Sequence, residues 1–148
     1  MPLLILTIGI PSCGKTTWVK DFLKKAPATK VVSNDDIREE LFGTRECDHT
    51  QNWRVYSTAR ERAKALLTSG ADVIVDATNT SIGEWMAYRR ILGDNDVFVA
   101  KVFSVTPETA IERQKGRERK VPEEVIQAKW EELERSKHWL YSLFNFLL

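Results

Sequence analysis

The sequence predicts an α/β fold in which helices flank one parallel sheet. Short apolar runs alternate with segments of helical periodicity, which is the pattern of strand–helix–strand units with right-handed crossovers. The first run, residues 3–9, is continuously apolar, as expected for a strand that is covered on both faces. The length of 148 residues suits one core, and we expect a single domain over residues 1–148.

The individual elements follow from the apolar runs, the helical spacing and the breaks between them. We predict strands at residues 3–9, 30–33, 71–76 and 97–103, and helices at residues 15–25, 35–42, 49–69, 82–92 and 107–113. Pro122 opens one more helix. Ligands of such folds bind beyond the carboxyl ends of the strands, where Gly9, Ser33 and Asp76 lie.

Composition and charge narrow the classes of protein. The net charge of +1 argues against a surface that is basic all over, but leaves a local basic patch open. Cys13 and Cys47 are the only cysteines and make no spaced metal cluster, which favours a reduced, cytosolic-type chain. The apolar N-terminal run lacks a basic leader and is too short to span a bilayer. We therefore expect a cytoplasmic protein without a membrane segment.

The pattern Gly9-x4-Gly14-Lys15-Thr16 matches a phosphate-binding P-loop, directly after a strand and before a helix. The glycines allow a tight turn in which backbone N–H groups converge on a phosphate, and the helix N-terminus adds positive charge. Lys15 is suited to the β- and γ-phosphates of ATP, and the Thr16 hydroxyl to Mg²⁺. The residues that we predict to contact ATP are Gly9, Pro11, Ser12, Cys13, Gly14, Lys15, Thr16 and Thr17.

A P-loop predicts a nucleoside triphosphate donor and leaves the acceptor open. A switch GTPase needs an Asn-Lys-x-Asp motif that reads guanine, and the chain has none. A motor ATPase usually needs a longer chain. A short chain that carries its own basic segment favours a kinase.

Two adjacent acids, Asp35 and Asp36, follow the second predicted strand, with Arg38 one helical turn on. One interpretation is a helix start, in which Ser33 or Asn34 is the cap and the acids complement the helix dipole. The other is catalysis, because transfer to a hydroxyl is helped by a carboxylate that accepts its proton. The second strand lies next to the P-loop strand in a typical P-loop kinase, which favours catalysis by Asp35. Arg38 then suits an anionic group on the acceptor.

Two later segments also carry side chains that suit phosphoryl transfer. Residues 113–120, RQKGRERK, contain five basic residues and are either a solvated helix end or a lid. A lid arginine stabilises the charge on the transferring phosphate. Asp76 closes the third strand and Asn79 follows it. Asp76 suits a role in holding Mg²⁺ through water or in orienting Thr16, or else it caps the next turn. We place the lid at about residues 113–121 and assign Asp76 and Asn79 to the substrate side.

Together these motifs resemble the kinase domain of the phage polynucleotide 5′-kinase family. The shared features are LTIGIPSCGKTTW, SNDDIR, VDATNTS and two arginines four residues apart before a Val-Pro pair. The resemblance runs from about residue 4 to residue 133. It implies an adenylate-kinase-like sheet with a basic lid. It also implies transfer of the γ-phosphate of ATP, with Mg²⁺, to the 5′-hydroxyl of DNA or RNA, and a phage protein that acts in the host cytoplasm.

The resemblance implies roles on the donor side. Lys15 and Thr16 match the residues that bind ATP and Mg²⁺, although relatives commonly have serine where this chain has Thr16. Arg113 matches a residue near the donor adenine. Arg117 matches the lid arginine on the transferring phosphate, and Arg119 takes that place in a second alignment of the lid.

On the acceptor side, Asp35 matches the general base and Arg38 matches the arginine on an acceptor phosphate. Val121 and Val125 match apolar positions that contact the terminal base of the acceptor. The phosphatase domain that follows in larger relatives is not in the sequence. We therefore expect phosphorylation of 5′ ends without removal of 3′ phosphates.

Two rival functions stay open. One is a P-loop kinase of a small molecule, such as a sugar or a nucleoside. The other is a nucleotide-binding interaction module that docks a partner through the apolar tail HWLYSLFNFLL, residues 138–148. The tail is apolar all round, which predicts a buried helix, either on its own core or against another copy in a homo-oligomer.

Overall fold

A computed structural model describes residues 1–46 and 48–148, and Cys47 lies outside the described residues. The strands are β1 (Leu3–Ile8), β2 (Lys30–Ser33), β3 (Val73–Asp76), β4 (Val97–Val102) and β5 (Phe146–Leu147). The helices are α1 (Lys15–Lys25), α2 (Asn34–Phe42), α3 (Asn52–Thr68), α4 (Ile82–Arg89), α5 (Pro107–Gln114), α6 (Glu123–Ser136) and α7 (Leu140–Leu143), with a 3-10 turn at Lys137–Trp139. None of the helices in the described ranges is long and apolar enough to cross a membrane.

The five strands form one parallel sheet in the order β2-β3-β1-β4-β5. This confirms the predicted α/β fold. One predicted neighbour was wrong, because β3 lies between β2 and the P-loop strand β1. The burial of the strands gives the reason: Lys30 and Val31 of β2 are exposed, which suits an edge, whereas Val73, Ile74 and Val75 of β3 are fully buried.

The two faces of β1 carry separate cores, as its continuous apolar sequence requires. Leu4 and Leu6 on one face belong to a large cluster with buried residues of α3, α4 and the C-terminal segment. Ile5 on the other face packs in a smaller cluster with Val19 of α1. Burial of both faces fixes β1 at the centre of the sheet, so the loop that follows β1 opens at the middle of its carboxyl edge.

Several helix boundaries differ from the prediction by a few residues. The predicted start of the third helix at residue 49 was wrong, because the Asp48 carboxylate accepts from both the backbone N–H (2.9 Å) and the hydroxyl (2.7 Å) of Thr50. This local turn competes with helical bonding, and α3 begins at Asn52. The fourth helix ends at Arg89, because Leu92 N–H bonds the Arg89 carbonyl in a tighter i to i+3 turn.

The C-terminal tail is not the continuous helix that its composition predicted. Asn145 N–H bonds the Phe98 carbonyl (2.8 Å) and the Asn145 side-chain oxygen accepts from Phe98 N–H (2.9 Å), so the chain leaves the helix and adds β5 to the sheet edge. Leu140 and Phe144 are buried in the core of this chain, and Phe144 stacks on Phe98. The tail therefore docks on its own core, while four of its apolar side chains stay 46–85% exposed: Trp139, Tyr141, Phe146 and Leu148.

Candidate active site

The P-loop connects β1 to α1 and has the backbone of an anion cradle. Ser12 (φ 65°) and Gly14 (φ 101°) both adopt left-handed conformations on either side of Cys13. Alternation of this kind turns successive backbone N–H groups toward one point. Gly9 must lack a side chain, because a Cβ atom there would lie 2.6 Å from Cys13 Sγ and 3.0 Å from Phe103 Cβ. Cys13 fills that space with a buried thiol, so the thiol faces protein atoms.

The Lys15 ammonium group lies at the centre of this loop. Its Nζ donates to the carbonyls of Gly9 (2.9 Å) and Ile10 (2.8 Å) and contacts Cys13 Sγ (3.3 Å). The loop carbonyls thus hold a positive charge within the P-loop. Thr16 and Thr17 follow on the exposed first turn of α1, which leaves the Thr16 hydroxyl accessible to a ligand.

The strand next to β1 ends in an acid: Asp76 closes β3, and its carboxylate interacts electrostatically with Lys15 of the P-loop. Burial raises the pKa of Asp76, the positive charge of Lys15 opposes that rise, and Asp35 and Asp36 add to it. No cluster of three or more His, Cys, Asp or Glu side chains that could hold a metal occurs within residues 1–46 and 48–148. One hydroxyl and one carboxylate still fit Mg²⁺, which proteins commonly bind through few side chains plus phosphate oxygens and water.

The raised pKa of Asp76 gives a testable effect on stability. Between the unfolded pKa of about 3.9 and the higher folded pKa, the folded chain binds more protons than the unfolded chain. Stability is therefore lost as the pH rises through that window. We expect Asp76→Asn to raise the Tm of the nucleotide-free protein at pH 7 in thermal melts, and this gain to shrink toward pH 3. The exposed Asp94→Asn is the matched control. A lower Tm at pH 7 for Asp76→Asn would contradict the assigned burial cost.

Asp35 and Arg38 are in direct contact at the start of α2. The Arg38 guanidinium donates to Asp35 Oδ1 at 2.9 Å and to Asn52 Oδ1 of α3 at 3.3 Å, and its side chain is only 10% exposed. Ser33 caps the helix, since its hydroxyl accepts from Asp36 N–H at 3.3 Å. Asp36 pairs instead with Arg45 at 2.5 Å. The two acids therefore differ: Asp36 is held at the surface, and Asp35 is held by a mostly buried arginine.

The lid arginines reach two different loops. Arg117 Nη1 donates to the Ser12 hydroxyl of the P-loop at 3.1 Å. Arg119 Nη1 lies 3.5 Å from Asp35 Oδ2, and its Nη2 donates to the Arg45 carbonyl at 2.8 Å. One short segment thus spans from the phosphate cradle to the acid at the end of β2. The structure thus brings the predicted lid residues Arg117 and Arg119 into contact with Ser12 and Asp35.

The other predicted site residues have different surroundings. Asn79 is 1% exposed, its amide donates to the Thr7 carbonyl at 2.9 Å, and its backbone carbonyl accepts from Trp85 Nε1 at 2.6 Å. Its contacts are those of a structural residue, and its assignment to the substrate stays a prediction. Val121 packs against the cluster beneath the P-loop, and Val125 is partly exposed one turn into α6. Arg113 is exposed at the end of α5.

Three residues at the site were missed by the sequence analysis. Asn52 holds Arg38, Arg45 holds both Asp36 and the lid, and Gln114 bonds Val121 across the base of the lid. Arg45 lies between two predicted helices and Asn52 lies in the first turn of the predicted third helix, and no local pattern marks either residue as part of a site. Gln114 did carry a signal, since it is an uncharged residue at the start of a basic run.

The fold and the cradle define a P-loop nucleotide-binding domain. A family model described as "AAA domain" matches residues 4–138. The chain belongs to this family.

The chain is also similar to named proteins. A protein of Autographa californica nuclear polyhedrosis virus, named as a proposed bifunctional polynucleotide kinase/RNA ligase, is 25% identical over an alignment of 133 residues. This alignment covers 80% of the present chain and 19% of the viral protein. A chain in the solved structure titled "Structure of the Pnkp1/Rnl/Hen1 RNA repair complex" matches with a TM-score of 0.81 at 24% identity, over 93% of the present chain and 45% of its own length.

A second solved structure, titled "Structure of Pnkp1/Rnl/Hen1 complex", matches with a TM-score of 0.67 at 26% identity, over 80% of this chain and 43% of its own. A gluconokinase from Sinorhizobium meliloti 1021 matches with a TM-score of 0.61 at 19% identity, over 89% of this chain and 75% of its own, which shows a shared fold. The present chain spans less than half the length of the viral relative and of the chains in the two complexes.

Proposed function

We propose that this chain is an ATP-dependent polynucleotide 5′-hydroxyl kinase, which transfers the γ-phosphate of ATP to the 5′ end of DNA or RNA. The observation that carries the proposal is the bridge made by the lid, in which Arg117 contacts Ser12 of the P-loop and Arg119 contacts Asp35. One segment thereby touches both the donor loop and an acid suited to activate a hydroxyl. The name of the viral relative supports a nucleic-acid acceptor.

The proposed reaction needs one base and several positive charges. Asp35 accepts the proton of the 5′-hydroxyl while that oxygen attacks the γ-phosphorus of ATP in line. The bond between the γ-phosphorus and the β–γ bridging oxygen breaks, and ADP leaves with the electron pair. Lys15 and Arg117 stabilise the charge that spreads over the γ-phosphate oxygens. Mg²⁺ would be held with ATP by Thr16 and Asp76, and it supplies neutralisation of the phosphate charge.

Arg38 is suited to anchor the acceptor. A guanidinium has five N–H donors, and Asp35 and Asn52 take up one each on Arg38. Within residues 1–46 and 48–148 no other acceptor for Arg38 is described, and its remaining donors suit a phosphate of the acceptor strand in the two-pronged geometry that arginine favours. With a net charge of +1, the chain suits a few local phosphate contacts at a strand end.

Arg38→Ala is expected to raise the KM for a 5′-hydroxyl oligonucleotide by about tenfold or more while the KM for ATP stays unchanged, because the variant loses a charge-assisted phosphate contact. Steady-state kinetics with each substrate varied in turn measures both constants. Arg62→Ala is the matched control, since Arg62 also joins α2 and α3, through Glu40 at 2.8 Å, away from Asp35. An unchanged acceptor KM for Arg38→Ala would favour the small-molecule kinase.

The proposal is tested directly by transfer of labelled γ-phosphate from ATP to a short oligonucleotide with a 5′-hydroxyl, in the presence of Mg²⁺. Label on the 5′ end is the expected result, and an oligonucleotide that already carries a 5′-phosphate is the control. ATP binding without label on either DNA or RNA would contradict the proposal, and sugars and nucleosides would then be tested as acceptors. Label on no acceptor would leave the interaction module.

Several finer points stay predictions beside the main proposal. A cytoplasmic location and a homo-oligomer through the tail rest on the sequence. The exposed side chains of Trp139, Tyr141 and Phe146 keep the homo-oligomer open. A partner in the repair of RNA ends, such as a ligase, is supported by the names of the relatives.

A further inference from the structure

The lid segment, residues 115–120, is joined at its two ends by one buried side chain. Gln114 Nε2 donates to the Val121 carbonyl at 2.8 Å, and Val121 N–H donates to Gln114 Oε1 at 3.1 Å. Gln114 is only 5% exposed, whereas all six residues between the two ends are exposed. A buried amide whose donor and acceptor both bond one residue closes the exposed segment into a loop.

This closure is fixed to the packing beneath the donor site. Val121 packs against the cluster that contains Ile10 and Cys13 of the P-loop and Ile126 of α6. The base of the lid is therefore tied to the same apolar residues that support the phosphate cradle. Gln114 itself stands at the end of α5, so it connects that helix to the cradle.

The end of α5 does not need the Gln114 side chain for its own backbone. Lys115 N–H bonds the Glu112 carbonyl at 3.3 Å, and Arg117 N–H bonds the Gln114 carbonyl at 3.0 Å. These bonds close the helix end through the main chain. The hydrogen bonds of the Gln114 side chain therefore serve to hold Val121, where the lid segment ends.

The contacts of both arginines in this loop depend on the position of its two ends, Gln114 and Val121. Arg117 reaches Ser12 of the P-loop at 3.1 Å, and Arg119 reaches Asp35 Oδ2 of α2 at 3.5 Å. An arginine side chain is long and loses much rotamer freedom when it is fixed. Because both ends of residues 115–120 are held, the backbone of this segment can adopt fewer conformations. Less conformational freedom is therefore lost when Arg117 and Arg119 make their two contacts.

We propose that Gln114 is the positioning residue of the lid: it closes residues 115–120 into a fixed loop, so that Arg117 and Arg119 reach the donor and acceptor sides together. Gln114 touches neither substrate and acts through the two arginines. Its kinetic readout rests on the proposed kinase function, whereas its effect on the shape of the lid does not.

The kinetic test uses Gln114→Met, which keeps the length and burial of the side chain and removes both hydrogen bonds. The expected result is a kcat about tenfold lower with the KM for ATP within about twofold, because the P-loop is unchanged and the lid acts in the transition state. Gln127→Met is the matched control, since Gln127 is an exposed glutamine of α6 and should keep wild-type kcat. A wild-type kcat for Gln114→Met would overturn the proposal.

A double-mutant cycle separates positioning of the arginines from a general structural role. In an Arg117→Ala, Arg119→Ala background, Gln114→Met should lower kcat by less than about twofold further, because the groups that it positions are gone. A further tenfold loss in that background would overturn the proposal. Gln114→Glu serves as a second variant if the methionine variant does not fold, since its carboxylate still accepts from Val121 N–H but loses the donor to the Val121 carbonyl.

A proteolysis test is independent of the acceptor. The lid segment contains four trypsin sites, at Lys115, Arg117, Arg119 and Lys120. Under native conditions, Gln114→Met or Gln114→Glu should be cut in this segment about tenfold faster than wild type and Gln127→Met, with little change in Tm. Equal rates of lid cleavage would overturn the proposal. If lid cleavage is faster in the variants but the wild-type protein labels no oligonucleotide, Gln114 still positions the lid. In that case only the proposed polynucleotide kinase function is contradicted.

Discussion

Replacement of Asp35 with asparagine is expected to lower kcat by about 10²-fold or more while ATP binding persists. The amide cannot take the proton of the acceptor hydroxyl, although it keeps the size of the side chain and still accepts from Arg38, which donates to Asp35 at 2.9 Å. Within residues 1–46 and 48–148, no hydrogen bond joins the P-loop to Asp35, so the affinity for ATP should not change. Single-turnover transfer of labelled phosphate measures the loss, and nucleotide titration measures the affinity.

The neighbouring acid provides a strict control for that variant. Asp36→Asn makes the same chemical change one residue along, in a carboxylate that pairs with Arg45 at the surface. We expect its kcat to stay within about threefold of wild type. If Asp35→Asn also kept wild-type turnover, Asp35 would not be the base. If the two variants lost activity equally, a shared effect on the start of α2 would explain the loss.

Removal of the Arg117 side chain is expected to have the largest effect in the lid. Arginines that stabilise the transferring phosphate contribute about 10³-fold or more to kcat, so Arg117→Ala should lower kcat by about that factor. Arg117 is expected to act on this phosphate because its guanidinium contacts Ser12 of the P-loop at 3.1 Å. The measurement is again kcat for transfer to a 5′-hydroxyl oligonucleotide at saturating ATP.

Arg119→Ala is the comparison that resolves the two alignments of the lid. Arg119 contacts Asp35 and the Arg45 carbonyl, on the acceptor side. We expect its removal to lower kcat by less than about tenfold and to change the KM of the acceptor more than that of ATP. The reverse ranking of the two variants would assign the transferring phosphate to Arg119.

The local features of the donor site could be predicted from the sequence because they depend on neighbours in the chain. Gly9, Gly14 and Lys15 have a spacing that dictates a tight loop between a strand and a helix, and the structure has that loop. The positive φ of Gly14 and the close approach of Cys13 to Gly9 are the physical reasons for those two glycines. The contact between Asp35 and Arg38 was also predictable, since one helical turn separates them.

Features that depend on contacts between distant segments were harder to predict from the sequence. The order of the strands places β3 between β1 and β2, which the sequence analysis missed because local periodicity does not state which strands pair. The tail was predicted as a helix from its apolar composition. Only its end, Phe146–Leu147, forms a strand, because the backbone of β4 offers an edge with which it pairs.

By itself, the sequence determined the alternation of strands and helices, the phosphate-binding loop and the acid–arginine pair at the start of α2, because each arises from contacts within a few residues. Only the tertiary structure decided that Arg117 meets Ser12 while Arg119 meets Asp35, contacts that join residues 105 and 84 positions apart. The physical reason is that the two ends of the lid meet through long-range packing: buried Gln114 bonds Val121, and partly buried Val121 packs against the cluster that contains Ile10 and Cys13. No spacing along the chain encodes that position.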